Sequence, residues 1–265
     1  MLDHITPVLL TYNEEQNISR TLSHLAWAKD IVVVDSGSTD GTLAALAHFR
    51  NVRVFNRRFD THGKQWRYAT EETNIGTDWL LRLDADYQVS DALIAELAQL
   101  DPNAAVSAYR VRFDYAVFSR KLLSSLYPSK TVLLRKGRFA VRDKGHSDVW
   151  DVHGSVVTLN ATIVHDDWKP VSQCVIGEAQ CLQRERDWIR VHKGGLVRWL
   201  RVRPPLMPIA VFLYCLFGKG LILNGRAGIF YALQRMVAEA MLSLMVLEER
   251  LRDHARASRH VSENH

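Results

Sequence analysis

Cysteine is scarce in this sequence, and its scarcity excludes one class of protein. The 265 residues include three cysteines, Cys174, Cys181 and Cys215, and no two of them form a C-x-x-C pair. An odd number of widely spaced cysteines gives no disulfide framework, which excludes a small disulfide-stabilised secreted scaffold. The N-terminus also lacks a basic segment followed by a cleavage site. We therefore expect no signal peptide and a reducing, cytosolic compartment.

Long hydrophobic runs are missing as well. The longest unbroken run covers residues 209–217, well short of the ~20 apolar residues that a membrane-spanning helix needs. Internal repeats and low-complexity tracts are absent. Apolar residues make up 47% and charged residues 24% of the chain, which is normal for a globular protein. This length suits one large domain, or one domain with an added segment.

The positive charge is concentrated at one end of the chain. The formal net charge is +5, yet residues 190–260 alone hold 12 Lys or Arg against four Asp or Glu, a balance of +8. The remainder is slightly acidic. We therefore divide the chain into a globular part, residues 1–189, and a basic tail, residues 190–265.

Hydrophobic periodicity predicts an alternation of strands and helices in the globular part. Strands are predicted at 5–10, 31–34, 52–55, 79–83, 106–113, 131–135 and 156–164. Helices are predicted at 15–27, from about 42, at 64–73, 91–97 and 171–188. Alternating elements imply right-handed crossovers, so we expect an α/β fold with a mostly parallel sheet and flanking helices.

Polar clusters follow three of these strands at the point where each strand ends. They are Thr11-Tyr12-Asn13-Glu14-Glu15, Asp35 and the pair Asp84 and Asp86. Residues i and i+2 of a strand share a face, so the last two carboxylates should project together. Ligands of open α/β sheets lie at the carboxyl ends of strands. Because oxygen ligands suit Mg²⁺ and Mn²⁺, the pattern predicts a crevice with a divalent cation.

These motifs resemble the family 2 glycosyltransferases with a GT-A fold. The residues that carry the resemblance are Leu10-Thr11-Tyr12-Asn13-Glu14-Glu15, the run from Val34 to Thr42, and Asp84-Ala85-Asp86. Weaker similarities to the bacterial lipopolysaccharide-core β-1,4-glucosyltransferase group extend through Tyr109-Arg110, Tyr127-Pro128 and Leu133–Phe139 to Gly225-Arg226-Ala227-Gly228. The resemblance covers roughly residues 4–250.

The resemblance implies inverting transfer of a sugar from a nucleotide-diphosphate sugar, a UDP-sugar by expectation. It divides the globular part into a nucleotide-sugar-binding half, residues 1–100, and an acceptor half, residues 101–189. Asp84 and Asp86 are expected to bind Mg²⁺ or Mn²⁺, which stabilises the diphosphate leaving group. The expected nucleotide-sugar contacts are Thr11, Tyr12, Asn13, Glu14, Asp35 and Asp84, with Lys64 and Arg67 as candidate phosphate ligands or solvated helix residues.

An inverting transferase also needs a general base near the acceptor hydroxyl. Similar sequences carry an acidic residue directly after a histidine, where this chain has Ser147 after His146. Asp148 is therefore the first candidate and Asp151 the second, with His146 as a possible orienting or phosphate-binding residue. The histidines His146, His153 and His165 lack a zinc-binding spacing, so we expect no zinc site.

The basic tail predicts a membrane-associated enzyme. Basic residues flank a short apolar stretch with interleaved aromatics, and a heptad-like seam follows it, which suits an interfacial helical segment. We expect a lipid-linked or lipopolysaccharide-type acceptor, a site on the cytoplasmic face of the bacterial inner membrane, and no nucleic-acid partner. Two alternatives stay open here: a non-catalytic nucleotide-sugar-binding protein at the membrane, and a phosphohydrolase that uses Asp84 and Asp86.

Overall fold

The computed structural model describes residues 1–144, 147–191 and 206–262. The chain divides into two compact units. The first comprises Met1–Lys121 and Ser125–Lys169, and the second comprises Leu122–Ser124 and Pro170–His265.

The first unit alternates strands and helices, as the periodicity predicts. Its elements are β1 Ile5–Thr11, α1 Ile18–Ser23, β2 Ile31–Asp35, α2 Thr42–Leu46, β3 Val52–Asn56, α3 His62–Glu71, β4 Trp79–Asp84, β5 Tyr87–Val89, α4 Asp91–Gln99, β6 Ala108–Val117, β7 Arg120–Lys121, β8 Lys130–Arg135, β9 Phe139–Lys144, β10 Ser147–Val152 and β11 Val156–His165. Side-chain caps fix two helix starts: Thr61 accepts from the Lys64 amide, and Ser90 accepts from the Leu93 amide.

The main sheet runs in the order β3-β2-β1-β4-β8-β6-β11-β5, with β7 paired to β6, and β9 and β10 form a separate hairpin. Strands β3, β2, β1 and β4 are mutually parallel, while β8 joins β4 and β6 in antiparallel fashion. The predicted α/β class is thus confirmed, with a parallel first half and a mixed second half.

Two hydrophobic cores cover the two faces of the parallel strands. Alternate residues of one strand enter different cores: Leu9 packs with α1, α2 and α4, while Val8 packs with α3 and the β9–β10 hairpin. Because both faces are covered, β1, β2 and β4 read as continuous apolar runs. Apart from Thr6 and Arg82, their polar residues are the last ones, Thr11, Asp35 and Asp84, so polar side chains are concentrated at the carboxyl edge of the sheet.

The second unit is helical. Its elements are α5 Val171–Val191, α6 Leu206–Leu213, a π-helical turn Tyr214–Gly218, a 3₁₀ turn Leu221–Asn224 and α7 Gly225–Ser262. Helix α5 packs on α7 around Leu182, Leu242 and Val246. The division between the units falls before α5, which groups with α7 through Leu182. The domain boundary expected between residues 189 and 190 stays a prediction.

A glycine fixes the start of α7. A Cβ on Gly228 would lie 1.8 Å from the Leu221 carbonyl oxygen, so only glycine lets the 3₁₀ turn pack on the helix. This close approach gives a physical reason for the glycine in the Gly225–Gly228 motif.

Many apolar side chains of the second unit face solvent. Phe217 is 65% and Leu223 79% exposed, and Ile209, Tyr214 and Leu244 are each more than half exposed. Among the described helices, Leu221–Ala255 has the length and composition to cross a membrane, although a third of its most apolar stretch is buried within the protein.

Candidate active site

The two polar loops that follow β1 and β2 form a single hydrogen-bonded unit. Thr11 and Asp35 are register partners on these parallel strands, and the Thr11 hydroxyl donates to the Asp35 carboxylate over 3.1 Å. Beyond the strands, the Asn13 side chain accepts from the Thr39 amide and the Glu14 amide donates to the Thr42 hydroxyl. The two sequence motifs therefore meet because each supplies the hydrogen-bond partners of the other.

Asp35 is fully buried at the centre of this unit. Its carboxylate accepts from the Thr11 hydroxyl, the Gly37 amide, and both the amide and the hydroxyl of Ser38. A carboxylate has about four acceptor positions, so these donors fill it. Direct contact between Asp35 and the base or ribose stays a prediction, and the geometry favours a role in holding the two loops.

We expect Asp35→Ala to weaken nucleotide binding and lower stability together. The change removes a buried acceptor and leaves backbone amides unpaired, a loss of about 2–4 kcal/mol. The measurement is the free energy of unfolding, with UDP affinity determined with and without Mn²⁺. Thr61→Ala, which removes a simple helix cap, is the control for a general loss of stability. A variant of normal stability that loses only the metal-dependent part of binding would contradict this role.

Tyr12 and Asn13 present the loop to solvent. Tyr12 is 57% exposed, so its ring is available for stacking. Asn13 has a φ of 54°, a left-handed conformation that asparagine tolerates better than most residues. The position of Tyr12 at the edge of the sheet supports its predicted contact with a base, which stays a prediction.

Asp84 ends β4 beside a lysine that the sequence analysis did not single out. The Lys130 ammonium lies 3.4 Å from the Asp84 carboxylate and 2.6 Å from each of the Tyr87 and Tyr127 hydroxyls. Partial desolvation raises the pKa of Asp84, but Lys130 and Arg82 outweigh it and hold the pKa below its ordinary value. Asp84 is therefore a carboxylate whose charge is already balanced by the protein.

Asp86 has a different environment. Its Oδ2 lies 2.9 Å from Nε2 of His165, the last residue of β11, while its Oδ1 is buried without a hydrogen-bond partner. Burial raises the pKa of Asp86, but His165 and Lys169 together outweigh it, so the net pKa lies below the ordinary value. His165 Nδ1 is also buried without a partner. Buried polar atoms are normally paired, so Asp86 Oδ1 has the capacity to bind a ligand.

Glu14 belongs to the same group of charges. It accepts from the Lys169 ammonium at 2.7 Å and from the Asn17 amide at 2.9 Å. Burial raises the pKa of Glu14 to about 7, and the charge of Asp86 acts in the same direction against the Lys169 ammonium. Glu14 therefore lies on the side of the Asp86 carboxylate and turns away from the exposed Tyr12.

The Glu14 carboxyl makes stability depend on pH. Its pKa is raised from 4.5 to about 7, so its contribution is fully present below pH 4.5 and is lost as pH rises through about 7. We expect the unfolding free energy of the wild type, minus that of Glu14→Gln, to fall by about 1–3 kcal/mol over this window. Denaturant titrations without divalent cations measure it, and a difference that stays constant or rises with pH would contradict the assignment.

The two candidate bases lie on opposite faces of β10. Asp148 pairs with Arg82 of β4 at 2.9 Å and also accepts from the Trp150 indole N–H. The Arg82 guanidinium lies 5.1 Å from the centroid of the Trp66 ring and 4.7 Å from that of the Trp150 ring, so this face of the hairpin packs on the sheet. Asp151 points to the other face, where it pairs with Arg142 and remains accessible to solvent. His146 lies outside the described residues.

Lys64 and Arg67 have partners away from the D-x-D aspartates. Lys64 lies 3.3 Å from Asp60, and Arg67 lies 3.9 Å from Asp143 of the hairpin. Both side chains are about half exposed. Their contact with phosphate stays a prediction that no described contact supports.

The sequence analysis missed His165, Lys130 and Lys169 as members of the site. His165 follows the apolar strand β11, the same strand-end signal that identified Asp84 and Asp86. We had set it aside because it lacked a metal-ligand spacing in sequence, but its partner lies on another strand end. Lys130 begins β8 and carried no comparable signal.

Comparison with known proteins decides the family. The sequence profile of Glycosyl transferase family 2 matches residues 7–164, more than half of the chain. The chain belongs to glycosyl transferase family 2. This membership confirms the resemblance and removes the phosphohydrolase alternative.

Curated relatives match only part of this family 2 glycosyltransferase. The lipopolysaccharide core biosynthesis glycosyltransferase LpsC of Rhizobium meliloti is 28% identical over 100 residues, 36% of this chain and 36% of its own. The 4,4'-diaponeurosporenoate glycosyltransferase of Staphylococcus haemolyticus is 28% identical over 131 residues, 48% of this chain and 32% of its own. The matches thus span about a third of the length of these relatives.

Solved structures of similar arrangement have low sequence identity. Residues 1–349 of S. aureus TarS have 14% identity and a TM-score of 0.48, with coverage of 92% of this chain and 91% of that one. Glucosyl-3-phosphoglycerate synthase from Mycobacterium tuberculosis, in complex with Mn²⁺, UDP and phosphoglyceric acid, has 15% identity and a TM-score of 0.46, with coverage of 70% and 77%.

Proposed function

We propose that this protein is an inverting glycosyltransferase that transfers a sugar from a nucleotide-diphosphate sugar, with a UDP-sugar as the expected donor. The observation that carries the proposal is the grouping of Glu14, Asp84, Asp86 and His165 at one edge of the sheet. They lie beside the two hydrogen-bonded loops that follow β1 and β2. Family membership supports the donor class, and the relatives support a role in the cell envelope, since LpsC is named for lipopolysaccharide core biosynthesis.

A divalent cation fits the residues of this site. Asp86 Oδ1 is a buried carboxylate oxygen without a partner, and carboxylate oxygens suit Mg²⁺ and Mn²⁺. His165, bound through Nε2 to the other oxygen, orients this carboxylate. Among the residues that the structure describes, no cluster of three or more metal-ligating side chains occurs. That agrees with a cation held by one or two side chains, water and substrate phosphates. Asp84, already bound by Lys130, is a weaker candidate ligand than first expected.

When bound, Mg²⁺ or Mn²⁺ supplies a Lewis acid for the diphosphate leaving group. The chain itself supplies the remaining functions. The hydrogen-bonded loops after β1 and β2 position Tyr12 to stack on the base. Lys130 orients Asp84 toward a hydrogen bond with the ribose, and Lys169 places a positive charge beside Asp86. Asp148, oriented by its ion pair with Arg82, takes the proton of the acceptor hydroxyl as the sugar is transferred.

A direct test is a thermal-shift and calorimetric screen of nucleoside diphosphates with Mg²⁺ or Mn²⁺. We expect UDP to bind, and the cation to increase its affinity. Hydrolysis of a UDP-sugar by the wild-type protein, slow without an acceptor, then separates an enzyme from a non-catalytic binding protein. No binding of any nucleoside diphosphate with either cation would overturn the proposal.

We also propose that the acceptor is carried on a lipid and that the helical unit contacts the cytoplasmic face of the bacterial inner membrane. The exposed apolar side chains of this unit and the +8 charge of residues 190–260 support a contact with an anionic bilayer. Arg235 and Glu239 interrupt the most apolar part of α7, which favours an interfacial orientation over a spanning one.

The membrane contact should depend on two exposed side chains. Phe217→Ser and Leu223→Ser each remove an apolar group from solvent-facing positions, and each should weaken binding of the full chain to anionic liposomes roughly tenfold. Flotation at low and high salt measures the effect, because screening weakens the basic contribution. Leu43→Ser, an exposed leucine of α2, is the matched control. A full chain without liposome affinity at low salt would contradict the proposal.

A further inference from the structure

Two aromatic side chains of the first unit lie side by side with much of their surface exposed. The Phe118 and Trp168 rings have centroids 5.8 Å apart and an interplanar angle of 79°. Phe118 is 46% and Trp168 37% exposed. Single exposed apolar residues are common on protein surfaces. What distinguishes this pair is how firmly the protein holds it.

A single buried carboxylate anchors both aromatic residues. Asp166 is only 2% exposed and accepts from the Trp168 indole N–H over 2.9 Å. Its two oxygens also accept from the Ser119 amide at 3.2 and 3.0 Å, which fixes the turn that carries Phe118. Arg20 donates to the Asp166 backbone carbonyl at 3.1 Å and pairs with its carboxylate.

Backbone conformation and ring contacts add to this rigidity. Phe118 and Ser119 have φ values of 47° and 64°, both in the left-handed region that non-glycine residues rarely adopt. Such a conformation persists only where the surroundings impose it. The Arg20 guanidinium lies 4.5 Å from the centroid of the Trp168 ring and supports it by a cation–π contact.

The aromatic pair is continuous with the candidate active site. The Asp166 amide donates to the Asp86 carbonyl, and the Trp168 amide donates to the Asn17 side chain that also binds Glu14. The neighbours of this segment in the chain are His165, which pairs with Asp86, and Lys169, which pairs with Glu14. The segment that contacts Asp86 and Glu14 therefore also carries the Trp168 ring and the carboxylate that fixes Phe118.

We propose that Trp168 and Phe118 form a platform that binds the apolar C–H face of a pyranose ring. A rigid, exposed aromatic surface offers contact area at low entropic cost, and a pyranose has one apolar face and polar edges that Arg20 can contact. This inference rests on the proposed function, because the ligand class is that of a glycosyltransferase. The same ring chemistry belongs to the transferred sugar and to an acceptor glycan, so the experiment separates these sources.

The test compares Trp168→Phe with Trp168→Leu in the full chain. Both variants lose the indole hydrogen bond to Asp166, but only the leucine variant loses the aromatic face. Saturation-transfer NMR with the methyl glycosides of glucose, galactose and N-acetylglucosamine reports binding, with open-chain sorbitol as the polyol control. We expect millimolar binding of at least one glycoside to the wild type, near-normal binding to Trp168→Phe, and roughly tenfold weaker binding to Trp168→Leu.

Two further measurements make the outcome decisive. Phe59→Leu removes another exposed aromatic ring and should leave glycoside binding unchanged. UDP affinity with Mn²⁺ should be normal in every variant. If the wild type itself fails to bind UDP, the proposed function is refuted, and this outcome is distinct from a failure of the platform. With UDP bound normally, equal glycoside binding by Trp168→Leu and the wild type, or equal responses to sorbitol and glycosides, overturns the platform.

The source of the pyranose follows from competition. If UDP-glucose with Mn²⁺ displaces the methyl glycoside and UDP does not, the platform holds the sugar that is transferred. If the glycoside still binds with UDP-glucose present, the platform holds the acceptor. Both results support the platform and assign its occupant.

Discussion

Asp86→Asn should remove the metal-dependent part of donor binding while the fold stays intact. The change replaces a carboxylate whose Oδ1 is buried without a hydrogen-bond partner by an amide, which is a poorer ligand for Mg²⁺ or Mn²⁺. Because the proposed cation would stabilise the leaving diphosphate, we expect transfer or donor hydrolysis to fall by about 10³-fold. Calorimetric titration with UDP, with and without Mn²⁺, should show equal, weak affinity in both conditions.

Stability should separate this effect from misfolding. The neutral side chain removes the repulsion from Asp84 but also loses the attraction of His165, so we expect a small fall in melting temperature with unfolding still cooperative. His165→Ala should resemble Asp86→Asn in its metal dependence, because the two side chains are partners. Asp78→Asn, an exposed aspartate just before β4, is the matched control. Full metal-dependent UDP affinity in Asp86→Asn would refute the cation site.

Asp148→Asn should reduce turnover far more than donor affinity. A positioned general base contributes typically ~10²–10⁴-fold in rate, and asparagine keeps the shape of the side chain without accepting a proton. Asp148 faces Arg82, whose charge also lowers the pKa of Asp84, so the candidate base and the D-x-D motif are linked through one arginine. The measurement is kcat for donor turnover beside the UDP dissociation constant.

Asp151→Asn provides the control within the same strand. Asp151 points to the opposite face of β10 and pairs with Arg142, so the substitution should leave kcat within about twofold of the wild type, as surface changes usually do. Arg82→Lys tests the link, because lysine keeps the charge but loses the planar contact with Trp66 and Trp150. An active Asp148→Asn with an inactive Asp151→Asn would move the base to Asp151.

The alternation of elements and the strand-end motifs were readable from sequence. Apolar runs such as 31–34 and 79–83 are strands because both faces of the parallel sheet are covered, which leaves few polar positions inside them. Arg82 is the one charged residue within the second run. Where such a run ends in Thr11, Asp35 or Asp84, the chain reaches the edge of the core. Parallel order then brings these ends together without information from any other residue.

Only the tertiary structure shows which partner each polar group of the site contacts. Asp35 looked free to accept from a nucleotide, but its acceptor positions are filled by Thr11 and the Gly37–Ser38 turn. Asp84 and Asp86 looked equivalent in sequence, yet their partners differ. Lys130 pairs with Asp84, and His165, 79 residues after Asp86 in the chain, pairs with Asp86. Spacing in sequence cannot report these partners, because they come from strands β8 and β11 that pair on the far side of β4.

Sequence alone therefore determined the family, the α/β core and the edge of the sheet where the chemistry lies, because hydrophobic periodicity and strand-end polarity are local properties of the chain. Only the tertiary structure decided which carboxylate is left unpaired, which of Asp148 and Asp151 faces Arg82, and why Trp168 stays exposed. Each of these depends on charges and hydrogen-bond donors brought together from distant segments, and the low-dielectric surroundings of the folded core give those contacts their effect.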